Sequence, residues 1–303
     1  MNKPAVGFIG LGNMGGAIAG AMIKAGIHLH VCDISQEAVA RLVALGATPH
    51  SSPKAVASTA GIVCTCLASN EASAAVLFAD NGVIHGSKIH TLVEMSTTGS
   101  RNVSASAAAL AERRIATVDA PVSGGAKDAA AGILVIMVAG SDTALHSAMP
   151  ILSAISSRVK RVGSKPGQGQ LMKLINNLLA GANMAAAVEA LALGAELELD
   201  QAAMVELVSM SSGQSRMLDK KAPTIVSRQF DADAGGTIAL LAKDFGLAFE
   251  EARLAGVSAV SLPTLSGARA VWDSAMNLGL ANHKVPELIT VIERNFAGAS
   301  TNS

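Results

Sequence analysis

Val6-Gly7-Phe8-Ile9-Gly10-Leu11-Gly12-Asn13-Met14-Gly15 is an apolar run that breaks into three spaced glycines and then opens an amphipathic stretch. The pattern G-x-G-x-x-G between a strand and a helix assigns each glycine a task. Gly10 permits the tight turn, Gly12 lets the backbone approach a pyrophosphate, and Gly15 allows close helix–strand packing. The free N–H groups and positive dipole end of the following helix then face the phosphates. Asp33 ends the next apolar run, 18 residues after Gly15. A carboxylate there accepts hydrogen bonds from ribose hydroxyls. A 2′-phosphate would meet like charge, at a cost on the order of 1–4 kcal/mol in solvated surroundings. Ile34, Ser35 and Gln36 bring no Arg or Lys to offset that repulsion, so the sequence favours NAD over NADP.

Working outward, strand-like runs fall at Ala5–Ile9, Leu29–Cys32, Ile62–Leu67, Ile89–Met95 and Thr117–Val122, with Ile133–Val138 and Val159–Val162 extending the set. Helix-like stretches, among them Ala17–Ala25, Gln36–Leu45 and Asn102–Arg113, lie between them. Continuous apolar runs alternating with helices predict a parallel, doubly wound α/β sheet covered on both faces. Near Gly163-Ser164-Lys165-Pro166-Gly167 the pattern changes, and a Pro/Gly cluster marks a boundary. Beyond it the signal is helical: one long helix over 167–196, then stretches near 201–210, 237–255, 264–279 and 285–295. The expected division is a dinucleotide-binding domain over 1–163 and an all-helical domain over 164–303. The small, polar end Ala297–Ser303 is expected to fray.

Composition removes several function classes. Of 303 residues half are hydrophobic and 15% charged, and 23 Lys+Arg balance 23 Asp+Glu. A neutral chain gives no electrostatic case for nucleic acid or an anionic membrane. Aromatics are 2% and Tyr is absent, so a tyrosine acid or base is impossible and base-stacking platforms are too sparse. Cys32, Cys64 and Cys66 form no disulfide framework, which suits a reducing cytoplasm, and no metal-ligand spacing is present. Residues 4–23 are apolar after Lys3, but six glycines make a poor signal-peptide core. Leu178–Ala195 is long enough for a bilayer but holds Asn183 and Glu189, so a buried helix is expected.

Two further segments carry chemistry. In Asp119-Ala-Pro-Val-Ser-Gly-Gly125, Ser123, Gly124 and Gly125 follow a strand, at the sheet edge where α/β ligands bind. Exposed backbone N–H groups and a hydroxyl there suit a carboxylate. In Gly167-Gln-Gly-Gln-Leu-Met-Lys-Leu-Ile-Asn-Asn177, Gly169, Lys173 and Asn177 recur at every fourth position, one helix stripe. Leu171, Ile175, Leu178 and Ala182 are expected to form the opposite, core-facing side. A Lys that loses part of its hydration has its pKa lowered toward working pH, so Lys173 could take a proton from a hydroxyl as hydride leaves the same carbon.

With these segments in hand the chain resembles the β-hydroxyacid dehydrogenase family, which includes 3-hydroxyisobutyrate dehydrogenase and tartronate semialdehyde reductase. The resemblance runs from about residue 4 to residue 295 and rests on four motifs in order: GFIGLGNMG, DAPVSGG, GQGQLMKLINN, and AKDFGLA at 242–248. It implies a Rossmann domain joined by a long helix to an all-helical domain, and a homodimer or homotetramer. By resemblance Lys173 matches the general acid/base, Ser123, Gly124 and Gly125 the substrate-carboxylate site, and Asn177 the substrate-binding Asn. Gly10, Leu11, Gly12, Asn13, Met14 and Gly15 match the phosphate turn. Leu67 and Ala68 match the segment near the adenosine, Ser96 and Thr97 the nicotinamide side, and Lys243 a residue beside the cofactor. Met95 is expected to pack.

The chain departs from the family where Ser100 replaces a frequent Pro and where Ser215-Arg216 replaces a frequent Ser-Trp. The second change trades an aromatic wall for a cation and suits a more polar substrate, or else leaves Arg216 in solvent. The reading is an NAD-dependent dehydrogenase of a small hydroxy acid of the 3-hydroxyisobutyrate, glycerate or threonate type. The alternatives are an NAD(P)H-dependent reductase of a semialdehyde or glyoxylate, and a dinucleotide-binding sensor without turnover.

Overall fold

The computed structural model describes residues 5–232 and 235–300. The expectations that touch Lys3, Pro4 and Thr301–Ser303 lie outside them. The chain divides into two compact units at Lys173/Leu174.

The first unit alternates strand and helix. It runs β1 (Val6–Ile9), α1 (Asn13–Lys24), β2 (Leu29–Cys32), α2 (Gln36–Val43), β3 (Thr48–Pro49), α3 (Pro53–Ala57), β4 (Ile62–Thr65), α4 (Asn70–Phe78), β5 (Thr91–Glu94) and α5 (Ser100–Ala111). It continues through β6 (Ala116–Asp119), β7 (Val122–Ser123), α6 (Ala126–Ala130), β8 (Val135–Ala139), α7 (Asp142–Ile155) and β9 (Arg158–Gly163). The sheet order is β3-β2-β1-β4-β5-β6-β8-β7, with β9 on β8. From β3 to β6 every pairing is parallel, and β1, β2, β4 and β5 are buried along their whole length. That double burial is why these strands read as continuous apolar runs. One face packs Phe8, Leu29, Val31 and Val118 with Ile18 and Met22 of α1 and Leu152 of α7. The other packs Ile9, Val63 and Leu92 with Val56, Leu77 and Leu110.

Two expectations need correction here. Thr117–Val122 is not one strand. Pro121 has no N–H to give a ladder, and the chain breaks after Asp119. Val122–Ser123 then pairs antiparallel with β8, while Met137 N donates to Pro121 O at 3.0 Å. The sheet is consequently mixed, because β6 and β8 also meet antiparallel.

The described part of the second unit is helical. α8 (Gln168–Glu196) begins in the first unit and ends in the second. α9 (Gln201–Ser209), α10 (Arg216–Ser227), α11 (Ile238–Leu254), α12 (Pro263–Asn277) and α13 (Ile289–Ser300) follow. α10 falls between the expected helical stretches; it buries Leu218, Ala222 and Ile225 on one face and carries Pro223 inside it. Trp272 and Phe245 centre the second core, and the indole Nε1 donates to Gly181 O at 3.2 Å. A Cβ on Gly181 would stand 2.3 Å from Phe245, so glycine is required where that ring crosses α8. α8 has the length and hydropathy of a membrane span, yet 56% of its most apolar window is buried inside the protein.

Candidate active site

The parallel register aligns Cys32, Ile9, Thr65, Glu94 and Asp119 in one row across the sheet. The next residue of each strand therefore emerges at one carboxyl edge: Asp33, Gly10, Cys66, Met95 and Ala120. Four of the segments singled out from sequence leave from this row.

At its centre the turn after β1 depends on glycine geometry. Gly10 has φ +92°, and a Cβ there would lie 2.3 Å from Cys66 O. A Cβ on Gly15 would lie 1.9 Å from Gly10 O. Gly12 has φ −59° and nothing within 4 Å of its Cβ position, and it caps α1 without a side-chain hydrogen bond. The first-turn N–H groups of α1 thus face open space that a phosphate can fill. Asp33 accepts from Leu11 N at 2.5 Å and from Ser35 N at 2.7 Å, tying the glycine turn to the end of β2. Turn, uncapped helix start and carboxylate together fit a dinucleotide.

Beside it, Leu67 N donates to Ser96 Oγ at 2.7 Å, which couples the ends of β4 and β5. Ser96 is buried, so its hydroxyl serves the protein backbone, while Thr97 is half-buried and Ala68 exposed. Ser96 N in turn donates to Glu94 Oε1 at 2.9 Å, and Ser73 Oγ donates to Glu94 Oε2 at 3.3 Å. Burial pushes the Glu94 carboxyl above the usual range, against the lowering effect of its hydrogen bonding with Ser96. Met95 is buried, as packing requires.

After β6 the segment of Ser123, Gly124 and Gly125 curls into α6. Gly124 has φ +134°, a conformation that favours glycine. Gly125 N donates to Asp128 Oδ2 at 2.8 Å. One of the N–H groups expected to serve a substrate carboxylate is therefore already engaged, leaving the Ser123 hydroxyl and the Gly124 N–H. Asp128 carries no signal in the motif as read.

The start of α8 is seated on Asp119, which accepts from Gly167 N at 2.8 Å and Gln170 N at 3.0 Å. Burial raises the Asp119 carboxyl, and these donors pull it back down. Lys173 follows one turn after Gly169 and is half-buried. Asn177 is one turn further on, only 9% exposed, and its Nδ2 donates to Asp244 Oδ2 at 2.5 Å. Asp244 is itself 3.5 Å from Lys243 Nζ.

The expected core face of α8 is thereby corrected. Leu171 and Ile175 are exposed, whereas Gln170, Leu174, Asn177 and Leu178 are buried. The polar residues turned inward because Asp119 and Asp244 satisfy them. Asp119 and Asp244 lie inside the quoted motifs DAPVSGG and AKDFGLA, yet no helix or strand period distinguishes a partnered acid from a solvated one. Arg216 is the first residue of α10 and is exposed, with Ser215 capping the helix through Leu218 N at 3.1 Å. Among the described residues no group of three His, Cys, Asp or Glu could hold a metal ion.

The described geometry has clear relatives. Residues 5–163 match a family profile described as the NAD binding domain of 6-phosphogluconate dehydrogenase. Residues 167–292 match one described as the NAD-binding domain of NADP-dependent 3-hydroxyisobutyrate dehydrogenase. The chain is 35% identical to L-threonate dehydrogenase of Cupriavidus necator, over 82% of this chain and 83% of that one. It is 34% identical to 2-(hydroxymethyl)glutarate dehydrogenase of Eubacterium barkeri, over 95% of each. A crystal structure of 3-hydroxyisobutyrate dehydrogenase from Salmonella typhimurium superposes with a TM-score of 0.86 at 31% identity, covering 95% of this chain and 100% of that one.

Proposed function

The chain belongs to the β-hydroxyacid dehydrogenase family, and on that premise we propose that Lys173 is the general acid/base of its reaction. The activity is hydride transfer between a small hydroxy acid and a nicotinamide dinucleotide. When bound, the dinucleotide supplies the hydride acceptor for oxidation and the donor for reduction. Lys173 Nζ takes the hydroxyl proton during oxidation and returns it during reduction. Asn177, held by Asp244, orients the substrate. Ser123 Oγ and the Gly124 N–H, on the segment shaped by Asp128, hold its carboxylate. Leu11, Asn13 and Met14 carry the phosphate turn between the three glycines. By the family resemblance Leu67 and Ala68 are assigned to the adenosine side, Ser96 and Thr97 to the nicotinamide side, and Lys243 to the cofactor.

The observation that carries this reading is the placement of Lys173, one turn beyond a helix start fixed on Asp119 and one turn before an Asn fixed on Asp244. NAD is preferred over NADP, supported by the Asp33 carboxylate at the end of β2 with no cation in the next three residues. The substrate is a small polar hydroxy acid of the threonate or 3-hydroxyisobutyrate type. Residues 1–163 act as the dinucleotide-binding domain and 164–303 as the substrate and oligomerisation domain; profile matches ending at 163 and beginning at 167 support the boundary, ten residues before the compact units divide. The protein works in a reducing cytoplasm as a homodimer or homotetramer. The three free cysteines suit that compartment, and burial pushes the Cys64 and Cys66 thiols up to about 12.

Lys173→Ala tests the assignment. Turnover of the best hydroxy acid should fall by about 10²–10⁴-fold, the usual weight of a positioned acid/base, while NADH affinity by fluorescence titration stays unchanged. Wild-type turnover in that variant would remove Lys173 from the mechanism.

A further inference from the structure

We propose that Gln170 is a positioning residue for the hydride transfer, its carboxamide fixing the first turn of α8, and with it Lys173, against the Ser96–Gly99 segment and the end of β6. The inference rests on the reading of Lys173 as acid/base and of Ser96 and Thr97 as the nicotinamide side. Gln170 is 0% exposed. Its Nε2 donates to Ser96 O at 3.0 Å and to Asp119 Oδ1 at 2.9 Å. Its Oε1 accepts from Thr98 N at 3.0 Å and Gly99 N at 3.1 Å. A carboxamide has two donors and an acceptor oxygen with two lone pairs, and here all four are used.

Filling space does not require this residue. An apolar side chain of similar volume would fill the same room and strand four polar groups. What the carboxamide adds is registry. It joins the carboxyl ends of β5 and β6 to a helix whose own backbone is already pinned by Asp119. Gly169 keeps that seat close, since a Cβ there would stand 2.9 Å from the Asp119 carboxylate and from Met137 O. Lys173 lies three residues beyond Gln170 on the same helix, so a shift of the first turn carries the ammonium with it. A misplacement of about 1 Å at a reacting group can cost ~10²-fold in rate.

The test compares wild type, Gln170→Leu, Gln170→Glu and Lys173→Ala as full chains. Each is measured for melting temperature, NADH affinity, kcat, KM and the primary isotope effect with hydroxy acid deuterated at the carbinol carbon. Gln170→Leu should lose about 10–100-fold in kcat per folded enzyme, with KM for the hydroxy acid changed by less than about three-fold. Its isotope effect should rise as the misaligned hydride step becomes limiting. Gln170→Glu keeps the two acceptor contacts and loses the donors, so it should fall in the same direction and decides the matter if the Leu variant does not fold. Wild-type kcat and isotope effect in a folded Gln170 variant would overturn the proposal. So would a loss that only tracks the folded fraction. Lys173→Ala with wild-type turnover would instead remove the acid/base reading, and the positioning role with it.

Discussion

Both carboxylate oxygens of Asp33 already hold backbone, one from the glycine turn and one from the start of α2. The residue therefore does two jobs: it shapes the phosphate turn and presents negative charge where an adenosine ribose would sit. These separate in Asp33→Ser. The hydroxyl removes the charge, so the ratio of kcat/KM for NADP⁺ over NAD⁺ should rise by about ten-fold or more, the equivalent of ~1.4 kcal/mol of relieved repulsion. Affinity for both dinucleotides should fall because Leu11 N loses its partner. An unchanged NADP⁺/NAD⁺ ratio would show that charge at this position does not select the cofactor. Glu94 offers a pH test at the same scale. Burial raises its carboxyl in the folded protein, so the folded state binds the proton more readily than the unfolded chain. The stabilisation is complete below the ordinary carboxylate range and is lost as pH rises through it toward the raised value. Glu94→Gln keeps an acceptor for Ser96 N without the charge. Its melting temperature should exceed that of wild type at neutral pH, and the gain should shrink on acidification. A gain independent of pH would mean that Glu94 is not titrating in this window.

At the scale of the element, the strand–turn–helix of β1 and α1 separates folding from binding by two substitutions. Gly15→Ala places a Cβ 1.9 Å from Gly10 O, a backbone clash that nothing flexible relieves. It should lower the melting temperature sharply or prevent folding. Gly12→Ala has an ordinary φ and open space, so the free protein should melt as wild type does. The added methyl would occupy the approach of the pyrophosphate, and dinucleotide affinity should drop by at least about ten-fold, since the Ala variant would lose a hydrogen-bonded contact at the phosphate. Wild-type affinity in Gly12→Ala would move the phosphates away from this turn. The same element explains what was legible in sequence. Gly15 answers to Gly10 O within the same six residues and Gly10 also needs a positive φ in the turn itself, so the spacing carries that part of the geometry, while the approach of Cys66 O to Gly10 comes from another strand. The long helix was legible in extent, 167–196 expected against 168–196 found, but its inward face was not. Gln170 and Asn177 are buried by partners 51 residues upstream and 67 residues downstream, and hydropathy alone assigns such polar residues to solvent. The break of the expected strand at Ala120-Pro121 had a visible cause in proline. The antiparallel return on β8 depended on pairing that no local pattern contains.

At the scale of the molecule, each unit has its own core, and α8 contributes buried residues to the second one on one face only. Its other face is apolar and uncovered in the single chain. Ile175 is 60% exposed and Leu179 61%, and Ala186, Ala190 and Leu193 are exposed as well. At 100° per residue these five positions share one narrow stripe, opposite the buried Met184, Val188 and Leu191. A contiguous exposed apolar stripe on a helix that already buries its opposite side marks an interaction surface. For a chain with no net charge, such a stripe left in water would invite disordered association rather than a defined assembly. In the proposed homo-oligomer, a second copy presenting the same stripe would cover it symmetrically. Light scattering on wild type at micromolar concentration should therefore give two or four chain masses. The double substitution Ile175→Asp and Leu179→Asp should lower that mass. Because both side chains are exposed within one chain, the variant should keep its secondary structure, with little change to the stability of the monomer. A monomeric wild type, or a double variant that assembles as wild type does, would place the subunit contact on another surface.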